Sequence, residues 1–286
     1  IVYGLNGYVS WNDGDDITTF PSDNFFILGS SKFIAGFPLR TGNVVAGLLW
    51  SLDAVASITY DVNNPGKFVP AYISTITTIL SPNCIVPYEP FFFWIGINTF
   101  YMYNGAVNEI PNTTNKLWFF NNLNQNAKEK VYGFVNKKYN EICWLFPFGD
   151  SLENNHMLIY NMDTQSWYDT DQINRSCAVS SSSQFQYPIM ASSQVEVFSG
   201  ISTYPLWVHE KGVNRVDPTS TTALISSFTT NKNWLIDQNP NAQVIEYDTF
   251  IPDVQMTGSM FFTLATQGYP NSTVMTSPQY NFDTTT

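Results

Sequence analysis

Short apolar runs alternate with turn residues from the first position onward. IVYGL is followed by Gly7-Tyr8-Val9-Ser10-Trp11, by the polar Asn12-Asp13-Gly14-Asp15-Asp16, and then by Phe25-Phe26-Ile27-Leu28. Runs this short, bounded by Gly, Asn, Asp and Pro at intervals of about 8 to 12 residues, predict the strands of an all-β sandwich, barrel or propeller. Asn43 to Trp50 and Val55 to Tyr60 continue the series, and Pro65-Gly66 predicts the turn that closes this hairpin.

The pattern is densest between Phe92 and Trp167. Ile142, Trp144 and Phe146 fall on one face of a strand and Cys143 and Leu145 on the other. Both faces are apolar, so this strand is expected to be covered on both sides, as in stacked blades. Met157 to Tyr160 and Ser166 to Tyr168 flank Asn161-Met162-Asp163-Thr164-Gln165, which predicts a hairpin with Trp167 on the return strand. Leu123, Ala127 and Val131, with Asn122 as N-cap, predict one short helix; helix is otherwise expected to be scarce.

A recurring word chooses among the β architectures. Trp50 leads to Tyr60-Asp61, Trp94 to Tyr103-Asn104 and Trp144 to Tyr160-Asn161, the last interval lengthened by a loop expected at Phe148 to Asn155. Trp11 precedes Trp50 at a similar spacing. A period of about 40 to 45 residues with about four short strands per unit is that of a propeller blade. The expected fold is therefore all-β, with β-propeller-like blades of short antiparallel strands over residues 1–230. Residues 231–286 are expected to form a last blade or the start of a second β domain, from Gln243 to Tyr247, Ile251-Pro252-Asp253 and Met260 to Leu264. Between these parts, Ser180 to Ser183 and Ala191 to Ser193 predict loops, and Val195 to Phe198 is predicted to pair with Leu206 to His209. The chain opens at Ile1 inside an expected strand and without an initiator Met, and is expected to be an excerpt of a longer polypeptide.

Composition narrows the function classes. Of 286 residues, 44% are hydrophobic, 16% aromatic and only 12% charged, well under the usual charged share of about a quarter. The length suits one large β unit. Net charge is −11, from 12 Lys and Arg against 23 Asp and Glu, so there is no global basic footprint for gripping a phosphate backbone. An acidic wall does the opposite, repelling DNA so that it slides without sticking. No signal-peptide pattern and no run of about 18 apolar residues occurs, so no membrane span is predicted. Cys84, Cys143 and Cys177 are odd in number and far apart, which fits neither a disulfide framework nor a metal cluster; buried free thiols are expected.

Candidate chemistry is sparse. His156 and His209 are isolated and match no ligand spacing, so both are read as strand or loop histidines. Asn12 to Asp16 offers oxygen ligands for Ca²⁺ but lacks the EF-hand spacing and distal Glu, which favours a solvated hairpin turn. Ser10-x-Asn12-x-Gly14 half-resembles the Asp-box of sialidase-type propellers, with Asn in place of Asp and the final aromatic missing. A glycosidase needs two carboxylates about 5 to 10 Å apart, yet no spacing singles out a pair among Glu109, Glu141, Glu153 and Asp169. There is no G-x-S-x-G elbow, and Gly4-x-x-Gly7 lacks the Lys and helix of a phosphate cradle. The sequons at Asn112, Asn174 and Asn271 are expected by chance in a chain this rich in Asn. No catalytic, cofactor-binding or metal residue is assigned from the sequence.

One set of words points to a family. These are Phe93-Trp94-x-Gly96, Tyr101-x-Tyr103-x-Gly105-x-Val107-x-x-Ile110-Pro111, Phe120-x-x-Leu123-Asn124, Lys130-Val131-Tyr132-Gly133-x-Val135-Asn136, Asn140-Glu141-Ile142-x-Trp144 and Tyr160-Asn161-x-x-x-x-x-Trp167. Trp207-x-His209-Glu210-x-Gly212 and Pro252-Asp253 follow in the expected order. With them the chain, over roughly residues 45 to 255, resembles the hub or nozzle proteins of short-tailed bacteriophages, also called tail tubular or packaged-DNA-stabilising proteins. The resemblance implies a virion tail subunit containing a β-propeller, without catalytic residues or cofactor, assembled as a hexameric ring below the portal and adaptor. Its implied partners are copies of itself, the adaptor and portal-proximal tail proteins, tail fibres or spikes, and genomic DNA that passes through the lumen without sequence-specific binding. The chain departs from the pattern in the Ser-rich segment after Cys177 and in lacking both ends of the usual protein. The rival readings are a carbohydrate-binding or adhesive propeller, from the richness in aromatics that stack on sugars, and a propeller hydrolase.

Overall fold

The computed structural model describes residues 1–12, 16–29, 31–41, 44–64, 67–113, 115–171, 173–212, 214–223, 259–267 and 272–283. The chain divides into two compact units, Ile1–Ile225 and Ser226–Thr286. The first is a succession of small antiparallel sheets. It opens with three strands, β1 (Val2–Tyr3), β2 (Tyr8–Ser10) and β3 (Phe25–Ile27). Three four-stranded sheets follow, each running in sequence order. The first holds β4 (Phe33–Thr41), β5 (Val44–Ser51), β6 (Val55–Tyr60) and β7 (Phe68–Ser74); the second holds β8 (Val86–Tyr88), β9 (Phe91–Ile95), β10 (Phe100–Tyr103) and β11 (Val107–Glu109). After helix α1 (Lys116–Asn122), the third holds β12 (Tyr132–Asn136), β13 (Glu141–Phe146), β14 (His156–Asn161) and β15 (Ser166–Thr170).

These are blade-like meanders, and the recurring word explains their spacing. Trp50, Trp94 and Trp144 lie on β5, β9 and β13, the second strand of each sheet, and Tyr60, Tyr103 and Tyr160 lie on β6, β10 and β14, the third. Trp11 directly follows β2, the middle strand of the opening sheet. The protein is all-β with propeller-like blades.

The rings meet in one continuous core. Trp50, Trp94 and Trp144 are fully buried, with Phe92, Phe100, Tyr160 and Trp167 in the same cluster. Trp50 and Trp94 meet edge-on at 5.7 Å between centroids, whereas Trp144 and Trp167 stack at 6.0 Å. A buried indole N–H needs an acceptor, and three of them find one in a loop. Trp94 donates to the Thr78 carbonyl (3.1 Å), Trp144 to Cys84 (2.8 Å) and Trp167 to Pro111 (2.8 Å). All three carbonyls flank the sheet β8–β11, so its entry and exit loops are fastened from inside the core. Trp50 Nε1 is buried without a hydrogen-bond partner. Close approach also demands Gly133 on β12, where an added Cβ would stand 2.4 Å from Val86 Cγ2.

Several sequence expectations are corrected. IVYGL is not one strand: β1 ends at Tyr3 and Leu5–Gly7 forms a 3₁₀ turn. Leu123, Ala127 and Val131 are buried as their spacing requires, but the α-helix precedes them at Lys116–Asn122 and a 3₁₀ segment spans Gln125–Lys130. The cap is Asn124, whose side chain accepts from Asn126 N at 3.0 Å, while Asn122 Nδ2 turns back to the Trp118 carbonyl. Ala191 and Ser192 belong to a strand, because β17 (Ile189–Ser192) is flanked by β16 (Arg175–Val179) and by β20 (Leu206–Val208). The intervening strands β18 (Glu196–Phe198) and β19 (Ile201–Thr203) pair with each other, not with Leu206 to His209. The cause is the two-residue turn Ser199-Gly200, with φ 50° and 81°, the positive pair that a tight hairpin requires. A last hairpin joins β21 (Asn214–Val216) to β22 (Thr221–Ala223).

In the second unit β23 (Ser259–Phe262) pairs with β26 (Tyr280–Asp283), and β24 (Ala265–Thr266) with β25 (Met275–Thr276). The Pro65-Gly66 turn, the strands expected at Gln243 to Tyr247 and Ile251, the Pro252-Asp253 word and the sequon residue Asn271 lie outside the described residues. Among the described residues no helix is long and apolar enough to cross a membrane.

Candidate functional site

The third four-stranded sheet has two unlike faces. Strand alternation sends Val135, Ile142, Trp144, Phe146, Leu158, Tyr160 and Trp167 into the main aromatic core. The opposite face carries the cross-strand row Phe134, Cys143, Ile159 and Tyr168, and beside it the pair Asn136 and Glu141 at the hairpin end. Phe134, Cys143, Leu145, Met157 and Ile159 of this second face pack against Ala178 of β16 and Met190 of β17. The cover stops short of the hairpin end and leaves a cleft of about 440 Å³.

The cleft has an apolar floor and a polar wall. Phe134, Cys143, Met157, Ile159, Ile173 and Met190 supply the floor. On the wall, Glu141 is only 7% exposed and accepts hydrogen bonds from Asn136 Nδ2 at 3.1 Å and from the Tyr168 hydroxyl. Because Asn136 turns its amide nitrogen to the carboxylate, its Oδ1 is left buried without a hydrogen-bond partner. Burial together with the Glu141 carboxylate pushes the Tyr168 phenol far above its usual range, so it stays a donor. His209 and Glu210 close the rim. His209 Nε2 accepts from Arg175 Nε at 2.9 Å, and burial, reinforced by that guanidinium, lowers its pKa to about 4. It is a neutral imidazole at neutral pH.

The residues singled out from the sequence are mostly scattered. Of the four carboxylates, Glu141 alone lines the cleft. Glu109 is exposed at the end of β11 and accepts from Thr99 Oγ1 at 3.2 Å, Glu153 pairs with Lys130 at the surface, and Asp169 is exposed on β15. The cleft instead joins Glu141 with Glu210 and His209, contributed by distant parts of the chain. His156 sits elsewhere, stacked on Phe148 at 4.1 Å beside Trp118 and Phe146, with burial lowering its pKa. Nothing in the sequence assigned a site role to Tyr168, Asn136 or Arg175, since each acts only through the side chain that the fold places beside it.

Cys84 and Cys143 are buried, and burial raises both thiols, which makes them inert. Cys177 contradicts the expectation of a buried thiol: β16 turns Ala178 inward and Cys177 out. At Asn12 to Asp16, residues 13–15 lie outside the described set. Asp16 is an acceptor for Thr18 N at 2.8 Å and for the Thr18 and Thr19 hydroxyls, which lower its pKa to about 2. Gly4 caps the 3₁₀ turn Leu5–Gly7, and a strand, not a helix, follows it. The sequon residue Asn112 is buried, bonded to Asn115. Among the described residues no three His, Cys, Asp or Glu side chains gather as a metal site would require.

No protein-family model matches the chain, and no curated protein matches it. Among solved structures, it is similar to the β-propeller domain of the Trilobed protease from Pyrococcus furiosus, at 9% identity over 69% of this chain with a TM-score of 0.32. The chain spans 59% of that protein's length.

Proposed function

We propose that the chain is a virion structural protein, a subunit of a tail hub or nozzle ring through which packaged DNA is retained and released. The observation that carries this reading is where the family-like words fall. Phe93-Trp94, Tyr103, Trp144, Tyr160 and Trp167 are core rings, Gly133 is a point of close strand approach, and Ile110-Pro111 supplies the carbonyl that holds Trp167. Each serves packing or chain direction, the roles that the words of a non-catalytic ring subunit would have.

Charge supports the same reading. A net charge of −11 suits a conduit wall that must not hold DNA, and copies arranged head to tail close into a ring when the rotation closes. In this reading the partners are copies of the chain, adaptor and portal-proximal proteins and tail fibres or spikes, and acidic loops face the lumen. Negative-stain electron microscopy of the native assembly tests it: six- or twelvefold rings are expected. A monomer that binds glycans on an array would replace it with the adhesive reading, and a basic lumen would refute the conduit.

A further inference from the structure

We propose that the cleft between the sheet β12–β15 and strands β16 and β17 binds a primary ammonium group carried on a short apolar stem, with Glu141 as its counter-ion. The first ground is a charge imbalance. Glu141 is 7% exposed, and among the described residues no cation forms an ion pair with it. A carboxylate withdrawn from water this far is costly unless paired. The cations nearby are otherwise engaged: Arg175 donates to His209 and to the Asn174 carbonyl, and Lys138 is exposed with its ammonium over the Tyr139 ring at 4.7 Å and attracted by Glu210.

The second ground is Asn136, a cleft-lining residue only 6% exposed, whose buried Oδ1 has no hydrogen-bond partner. Its amide nitrogen is committed to Glu141, so only a donor can satisfy it. Glu141 uses one hydrogen bond on each oxygen and keeps acceptor capacity on both, since a carboxylate offers about four lone-pair sites. The unfilled capacity of these two side chains is thus all acceptor, whereas Glu210 at the rim already attracts Lys138.

The third ground is shape. An ammonium is a compact charge with three rotatable donors, whereas a guanidinium is a rigid fork that needs two parallel acceptors on one carboxylate edge. Both oxygens of Glu141 already carry a donor, which disfavours the fork. Phe134, Met157, Ile159 and Met190 form an apolar floor that fits an alkyl stem and gives a hydrated inorganic cation no ligands. The same chemistry is offered by a free alkylamine and by a lysine side chain of another protein.

Titration of the purified chain with n-pentylammonium chloride, followed by calorimetry, tests the site with n-pentanol and n-pentanoate as neutral and anionic isosteres. Saturable binding of the ammonium at least tenfold tighter than either isostere is expected. Glu141→Gln should lose at least tenfold in affinity while keeping its circular-dichroism spectrum and melting temperature. Equal binding of pentylammonium and pentanol by the unaltered protein would overturn the proposal whatever the variant does. So would a folded Glu141→Gln protein that binds within twofold of the original. Nα-acetyl-lysine N-methylamide binding at least as tightly as pentylammonium assigns the site to a protein lysine; tenfold weaker binding assigns it to a free amine.

Discussion

The two faces of the sheet β12–β15 are built from the same four strands and have opposite chemistry. On one, Trp144, Tyr160 and Trp167 interlock, and both indoles donate to loop carbonyls. On the other, Cys143 and Ile159 occupy the equivalent central positions, but the hairpin end beside them carries Asn136 and Glu141, where a carboxylate lacks a cation and a carbonyl lacks a donor. The first face is chemically finished. The second is finished over its centre, where Ala178 and Met190 cover it, and open at one end. Period-2 alternation allows this, because adjacent residues of one strand answer to different neighbours.

The comparison breaks most easily at Trp144. Trp144→Ala should cost about 3 to 5 kcal/mol, read as a fall in the denaturation midpoint; a loss under about 1 kcal/mol would mean this face is not the structural one. Acid should strike the other face. His209 has a pKa of about 4 in the fold against about 6.5 unfolded, so the unfolded chain binds more protons between these values. Stability should therefore be complete above about pH 6.5 and fall as pH drops toward 4, by on the order of 1 to 3 kcal/mol. His156 shifts in the same direction, so the part due to His209 is the difference between the protein and His209→Gln over that window. The smallest effect separates satisfied from orphaned indoles. Trp144→Phe strands the Cys84 carbonyl, whereas Trp50→Phe removes an N–H that had no partner. The first should cost about 1 to 2 kcal/mol more than the second, and equal losses would show that the indole clips contribute nothing.

What the sequence disclosed follows the same division. The Trp-to-Tyr word was legible because it repeats a packing role, second strand to third, in every four-stranded sheet. The two apolar faces of β13 were legible from Ile142 to Phe146 alone, since alternation is local. The Ser199-Gly200 hairpin competes with the longer pairing of Val195 to Phe198 with Leu206 to His209, and its two positive-φ turn residues decide for the tight one. The cleft was not legible: Asn136 and Glu141 are five positions apart, but Tyr168 joins them only through the pairing of β13, β14 and β15, and Arg175, His209 and Glu210 only when the next sheet stacks on this one. Glu141 stood among four candidate carboxylates, and its place in the word Asn140-Glu141-Ile142 gave no sign of its burial.

The indole clips have a consequence for measurement. Trp94, Trp144 and Trp167 hold their Nε1 protons on carbonyls of loops bordering one sheet, from two different sheets. No one of these protons can reach solvent until a loop detaches from the core. The exchange of the Trp144 and Trp167 protons with deuterium is thus an internal clock for separation of the second and third four-stranded sheets, and that of Trp94 for release of the loop before the second. A common exchange rate would identify the two sheets as one cooperative unit, and an early-exchanging Trp94 would place the first opening at the loop around Thr78.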